Sequence, residues 1–224
     1  MSGFLQRIDW PPLLLSLKVA SLATLPASIA GIALGWLFAR RRFPGSAIVE
    51  AACMLPLVLP PTVIGYGILI VAGRRSAPGS WLHEQFGYTF VFNWHGAVPA
   101  STIVALPLVL KSASAAFAGV DRSLEAAARP LRQSPSSTCV RVPLPLAWPA
   151  ILAGALRAVA RAMGEFGATL MIAGDIPRET QTLSLAIYDA MQDGRAGTAF
   201  FLPCVTSGLS VAVLVLSKRF FTLR

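Results

Sequence analysis

Apolar positions run in five long blocks, Leu13–Ala39, Ile48–Val71, Val98–Phe117, Leu146–Ala173 and Phe200–Leu216, separated by shorter polar stretches. Each block approaches the length of about 20 residues that a helix needs to cross a bilayer. Five such blocks are too many for one soluble core, so the pattern predicts an all-α polytopic membrane protein with five transmembrane helices. The first block would be about 40 Å long as a helix, beyond a signal-peptide core, and reads as a retained helix. The polar stretch Trp81–Trp94 carries His83, Glu84 and Gln85. It is expected to form an external interfacial turn with both tryptophans at headgroup level; a sixth span would require this stretch to cross as well.

Composition sharpens this picture. Of 224 residues, 55% are hydrophobic and 13% charged, and the mean hydropathy is +0.65. A soluble domain carries about 25% charged residues. The net charge of +9 raises the question of nucleic acid. The basic residues fall mostly in the connections between apolar blocks, however, which is a membrane-orientation bias and not a basic face. Arg40, Arg41 and Arg42 follow the first block; Lys111, Arg122, Arg129, Arg132 and Arg141 lie near or between the third and fourth; Lys218, Arg219 and Arg224 follow the fifth. Arg7, Arg74, Arg75, Arg178 and Arg195 fall on the other side. The bias predicts an external N-terminus and a cytoplasmic C-terminus. Cys53, Cys139 and Cys204 lie far apart, which gives neither a disulfide framework nor metal spacing. With no long linker, repeat or low-complexity tract, residues 1–224 read as a single membrane domain.

Two apolar blocks carry features that need explaining. In the second, Pro60 and Pro61 precede Thr62, and two adjacent prolines remove backbone donors. Carbonyls freed inside a membrane must be satisfied by protein or water. The segment is therefore either a structural kink or part of a water path. In the fourth block, Arg157, Arg161 and Glu165 recur at i,i+4 and form one stripe. Charges in hydrocarbon are costly, so the stripe should face protein or water. It reads either as an ion pair that orders the bundle or as a polar strip beside an anion path. Lys18 either snorkels to the headgroups or helps anions enter.

The interval 118–145 is charged and punctuated by prolines. Glu125 and Arg129 form a favourable i,i+4 pair in an alanine-rich helix. Pro130 interrupts it, Ser134–Pro135 starts a second short helix, and Pro143 and Pro145 end that helix. The expected shape is a cytoplasmic helix–turn–helix. Glu125, Ala127 and Ala128, followed by Leu144 and Pro145, resemble the coupling motif of ABC importer permeases. Arg132 falls where that family usually has glycine. Gly164–Thr169 (GEFGAT) and Ile176–Tyr188 (IPRETQTLSLAIY) are similar to the molybdate/tungstate branch, and sulfate permeases share the GEFG block.

The resemblance implies a pore-forming permease subunit that moves molybdate, with tungstate possible, from periplasm to cytoplasm by alternating access. Its alternative is a sulfate/thiosulfate permease; a different class would be a structural or orphan membrane protein without ATPase coupling. It implies an inner-membrane homodimer, two ABC ATPase subunits and a periplasmic molybdate-binding protein. Glu125, Ala127, Ala128, Arg132, Leu144 and Pro145 would couple to the ATPase. Pro60, Pro61, Thr62, Arg161, Gly164, Glu165, Phe166, Gly167 and Thr169 would form the path or gate. Asp175, Glu179, Thr180, Thr182 and Tyr188 would dock the binding protein. The sequence has no G-x-x-x-x-G-K-[ST], so it is expected not to be an enzyme and to bind no cofactor. ATP and Mg would be used by the partner ATPase, and no metal or nucleic acid is expected.

Overall fold

The structure, a computed structural model, describes residues 10–41, 43–121, 123–124 and 139–222. The coupling residues Glu125, Ala127, Ala128 and Arg132 lie outside the described residues. The described chain is helical: α1 (Pro11–Arg40), α2 (Ser46–Met54), a 3-10 turn (Leu55–Leu57), α3 (Pro61–Ala72), α4 (Ala77–Phe86), α5 (Trp94–Ala118), α6 (Pro143–Met163), α7 (Gly167–Ala173), α8 (Leu183–Gln192) and α9 (Ala196–Thr222). Four of these, α1, α5, α6 and α9, are long and apolar enough to cross a membrane. The bent pair Ser46–Leu57 and Pro61–Ala72 makes a fifth if it is counted as one span.

Two expected spans are broken. The block Ile48–Val71 bends by 110° before α3. Pro60 is extended there (φ −55, ψ 135), as a residue before proline must be, and Pro61 opens α3 where a missing donor costs nothing. The block Leu146–Ala173 stops at Met163 and restarts at Gly167. A third boundary also moves. The helical residues 139–141 stop at Arg141, as expected, and a turn at Val142 follows; α6 then starts at Pro143 and not at Leu146, with Pro143 buried and Leu144 packed against the cluster around Phe117 and Ile151. The stretch Trp81–Trp94 holds the end of a short helix, α4, closed at Gly87 (φ 63), then a loop.

Lipid tails are as apolar as leucine, so burial alone does not bring membrane helices together; close packing does. α1 supplies the close approach. Ala23, Ala27, Gly31 and Gly35 recur every four residues and are buried. A Cβ on Gly35 would lie 2.8 Å from Ala113 Cβ and 2.9 Å from Ser114 N, so only glycine lets α1 and α5 meet there. Ala27, Ala105, Val109 and Ala158 then join α1, α5 and α6 into a small-residue core. At one end of this bundle Arg40 Nη2 donates to the Val120 carbonyl at 3.1 Å. At the other, Leu183 N donates to Ser16 Oγ at 2.7 Å, tying α8 to the first turns of α1. α9 is peripheral, with 6% of its apolar window buried.

Candidate functional site

The break between α6 and α7 is where the stripe of charges resolves. Glu165 is only 2% exposed and faces both half-helices. Its Oε2 accepts from Arg161 Nη1 at 2.8 Å, in the last turn of α6. Its Oε1 accepts from Ala168 N at 3.1 Å, in the first turn of α7. One carboxylate therefore straps the two half-helices across Gly164–Phe166. It satisfies a backbone donor that the break exposes, as a membrane interior requires.

α7 then lies against the start of α3. A Cβ on Gly167 would stand 3.2 Å from Pro61 Cβ, Thr62 Cγ2 and Thr62 N. A Cβ on Gly65 would stand 2.9 Å from Ala168 Cα and 3.0 Å from the Ala168 carbonyl oxygen. The proline-proline segment and the GEFG segment, about 100 residues apart in the chain, are thus in backbone contact. Pro60, Thr62 and Gly164 are exposed, Pro61, Arg161 and Phe166 are half-buried, and Thr169 is buried beside α7's packed face. Six of the nine expected path or gate residues therefore keep some exposed surface around one junction, while Glu165, Gly167 and Thr169 are buried in it.

The loop 174–182 follows directly from α7. Gly174 (φ 70) turns the chain, and the Ile176 carbonyl accepts from Glu179 N, Thr180 N and Gln181 N at 3.0 to 3.1 Å. Thr180 Oγ1 accepts from Ile176 N at 3.0 Å and donates to the Gly174 carbonyl at 3.2 Å. Thr180 and Thr182 are 2% and 4% exposed; Thr180 holds the loop from inside, whereas the Thr182 hydroxyl is buried with no hydrogen-bond partner among the described residues. Glu179 and Tyr188 are exposed, and Asp175 is half-buried. Burial pushes the Asp175 carboxyl above the ordinary carboxylate range; a hydrogen bond from Gln181 opposes this and nearby Asp189 adds to it. Tyr188 also rests against Phe166, with ring centroids 5.2 Å apart. No spacing rule pairs these two aromatic residues, and only the fold brings them together.

Lys18 sits 3.6 Å from the centroid of the Trp94 ring, a cation–π contact between α1 and the start of α5. At the loop-side end, Asp121 accepts from Ser123 N at 2.9 Å, and this bond holds its carboxyl below the usual range. Leu144 and Pro145 lie in the first turn of α6, Leu144 half-buried and Pro145 exposed. Among the described residues, no group of three or more His, Cys, Asp or Glu is placed to hold a metal ion.

Comparison with known proteins bears directly on this arrangement. The family model described as binding-protein-dependent transport system inner membrane component matches residues 31–222. The chain belongs to this family. It is 42% identical over 213 residues to the molybdenum transport system permease protein ModB of Escherichia coli (strain K12), covering 94% of this chain and 92% of that protein. It is 35% identical over 221 residues to the ModB of Azotobacter vinelandii, covering 96% and 97%. Among solved structures, a bacterial ABC transporter involved in import of the acidic polysaccharide alginate aligns with a TM-score of 0.71 at 14% identity, covering 93% of this chain and 77% of that one. The MetNI methionine ABC transporter in an inward-facing form aligns at 0.65 and 15% identity, covering 93% and 94%. These two structures share the fold of this inner-membrane component, with its broken helices included in the aligned length.

Proposed function

We propose that the chain is the pore-forming subunit of an ATP-driven importer that carries molybdate, and tungstate as a near-equivalent, into the cytoplasm. The observation that carries this reading is the 42% identity to a molybdenum permease, which extends over 94% of the chain and so includes the GEFG break and the loop 174–182. Two copies form the pore in the bacterial inner membrane, with the N-terminus outside and the C-terminus inside. Two separate ATPases supply the energy, using ATP and Mg, and a periplasmic molybdate-binding protein delivers the anion.

The mechanism follows from how the elements connect. Glu125, Ala127, Ala128 and Arg132 receive the ATPase stroke at the cytoplasmic surface. Leu144 and Pro145 begin α6, a rigid helix about 30 Å long that leads to the break. A push at its base displaces Arg161 and Glu165, and the carboxylate strap passes the movement to α7. α7 moves against Pro61 and Thr62, so the α3–α7 junction opens or closes the path between inward-facing and outward-facing states. Asp175, Glu179 and Tyr188 meet the binding protein on the outer side. Charge there steers the encounter more than it sets affinity. The pore discriminates little between tetrahedral dianions, and selection resides in the binding protein.

The test is ATP-dependent uptake of labelled molybdate and sulfate by vesicles containing the complex with its cognate binding protein. Molybdate uptake that requires ATP is expected, and preferential sulfate uptake would overturn the substrate. A monomer active without an ATPase would overturn the assembly.

A further inference from the structure

A groove of about 600 Å³ opens between the loop-side halves of α5 and α6. Its walls are mostly apolar, from residues such as Leu108, Leu146 and Ala150, yet they carry two cations, Lys111 and Arg157, and no acidic side chain. Among the described residues neither cation is ion-paired. Arg157 Nε donates to the Ala153 carbonyl at 3.1 Å, which leaves the terminal nitrogens of the guanidinium for another acceptor.

An unpaired charge within a membrane span is costly unless water or an anion meets it. Snorkelling could relieve Lys111, which is about 10 Å from the end of α5. It does not relieve Arg157, about 21 Å along α6 from Pro143 and so too deep for a headgroup phosphate. Arg157 also lies one turn before Arg161 on the same stripe. Glu165 neutralises Arg161, so Arg157 is the first uncompensated cation on the α6 side of the break. The groove has room for a small oxyanion and several waters, since a water takes about 30 Å³.

We propose that this groove is a weak binding site for the transported tetrahedral oxyanion, inward of the Glu165 strap, with Arg157 and Lys111 as its ligands. The proposal rests on the transport reading above. Both cations are exposed on this chain and the site is wide, so it holds a dianion loosely enough to release it. Arg157 offers a planar fork of donors to the oxyanion and Lys111 a mobile point charge.

The experiment compares wild-type, Lys111→Gln, Arg157→Gln and Arg157→Lys complexes reconstituted with the ATPase and binding protein. Uptake of radiolabelled molybdate is measured in bilayers of phosphatidylcholine alone and in bilayers containing phosphatidylglycerol. Complexes are first checked for assembly by size exclusion. Arg157→Gln is expected to lower uptake about tenfold in both bilayers, the loss of one charge-assisted contact, and Arg157→Lys to recover part of it. Lys111→Gln, at an exposed position, is expected to act in the same direction. Wild-type uptake in both glutamine variants overturns the site while leaving the transport reading intact. A defect confined to phosphatidylglycerol bilayers overturns it in favour of a lipid phosphate. Failure of the wild-type complex to move molybdate overturns the transport reading instead. If Arg157→Gln fails to assemble, Lys111→Gln and Arg157→Lys decide, and normal uptake in both overturns the site.

Discussion

Tyr188 of α8 and Phe166 of the α6–α7 break lie with ring centroids 5.2 Å apart at an interplanar angle of 52°. α8 therefore touches the residue that caps α7, and a load on α8 reaches the break directly. An aromatic pair of this kind contributes about 1 kcal/mol, or roughly fivefold in a coupled equilibrium. Tyr188→Ala is expected to lower ATP hydrolysis stimulated by the binding protein by about that factor. Tyr188→Phe keeps the ring and loses only the exposed bond from Gln192, so it should stay near wild type. Equal loss in both variants would show that the hydroxyl, not the ring contact, carries the effect.

The two halves of the Arg161–Glu165 pair should not be equivalent. Glu165 is 2% exposed, whereas the Arg161 side chain is 35% exposed. Arg161→Met strands a buried carboxylate and is expected to cost about 3 kcal/mol. Glu165→Gln keeps an acceptor for Ala168 N and leaves a cation that reaches water, at about 1 kcal/mol. Thermal denaturation of the two variants in the same detergent checks the order, and a reversed order would contradict the strap.

Gly65 and Gly67 stand two residues apart on α3 and should respond oppositely to alanine. A Cβ on Gly65 meets Ala168 backbone atoms at 2.9 and 3.0 Å, whereas a Cβ on Gly67 meets nothing within 4 Å. Gly65→Ala is expected to push α3 from α7, costing about 1–3 kcal/mol and reducing transport. Gly67→Ala should be neutral or stabilising by up to about 1 kcal/mol through helix propensity. Melting temperature and molybdate uptake, measured on both, provide the comparison.

Asp175 gives a pH signature. Burial raises its carboxyl in the folded chain, so the native state holds this proton to higher pH than the unfolded state does. Its contribution to stability is greatest below the ordinary carboxylate value, is lost as pH rises through the folded value, and stays lost at neutral pH. Asp175→Asn should therefore melt higher than wild type at neutral pH. The gap should close as pH falls below about 4. A gap that widens on acidification would reverse the assignment.

The hydropathy pattern was sufficient for the class of protein, because a span of apolar residues near bilayer length has few other ways to satisfy its backbone. Motif spacing was sufficient to single out Pro60–Thr62 and Gly164–Thr169, since adjacent prolines and ionisable residues are costly inside apolar blocks. Local chemistry also marked the Arg161–Glu165 pair, because i,i+4 residues share a helix face. The periodicity could not reveal that both blocks break. A broken helix keeps its apolar composition, and the carbonyls it frees are satisfied by partners remote in sequence or by a single side chain such as Glu165.

Only the tertiary structure decided which residues meet. The sequence places Thr180 and Thr182 beside exposed acids in one polar loop, but the turn around the Ile176 carbonyl directs both threonines inward. The contact of Gly167 with Pro61 and Thr62, and that of Tyr188 with Phe166, depends on how α3, α7 and α8 pack. The groove that joins Lys111 to Arg157 depends likewise on the crossing of α5 and α6. The physical reason is that one-dimensional pattern records what each segment must hide from lipid or water, whereas distances between segments are set by side-chain volume at helix crossings. Along α1 the crossing is made largely by alanine and glycine, whose small size carries no signal of which helix will approach.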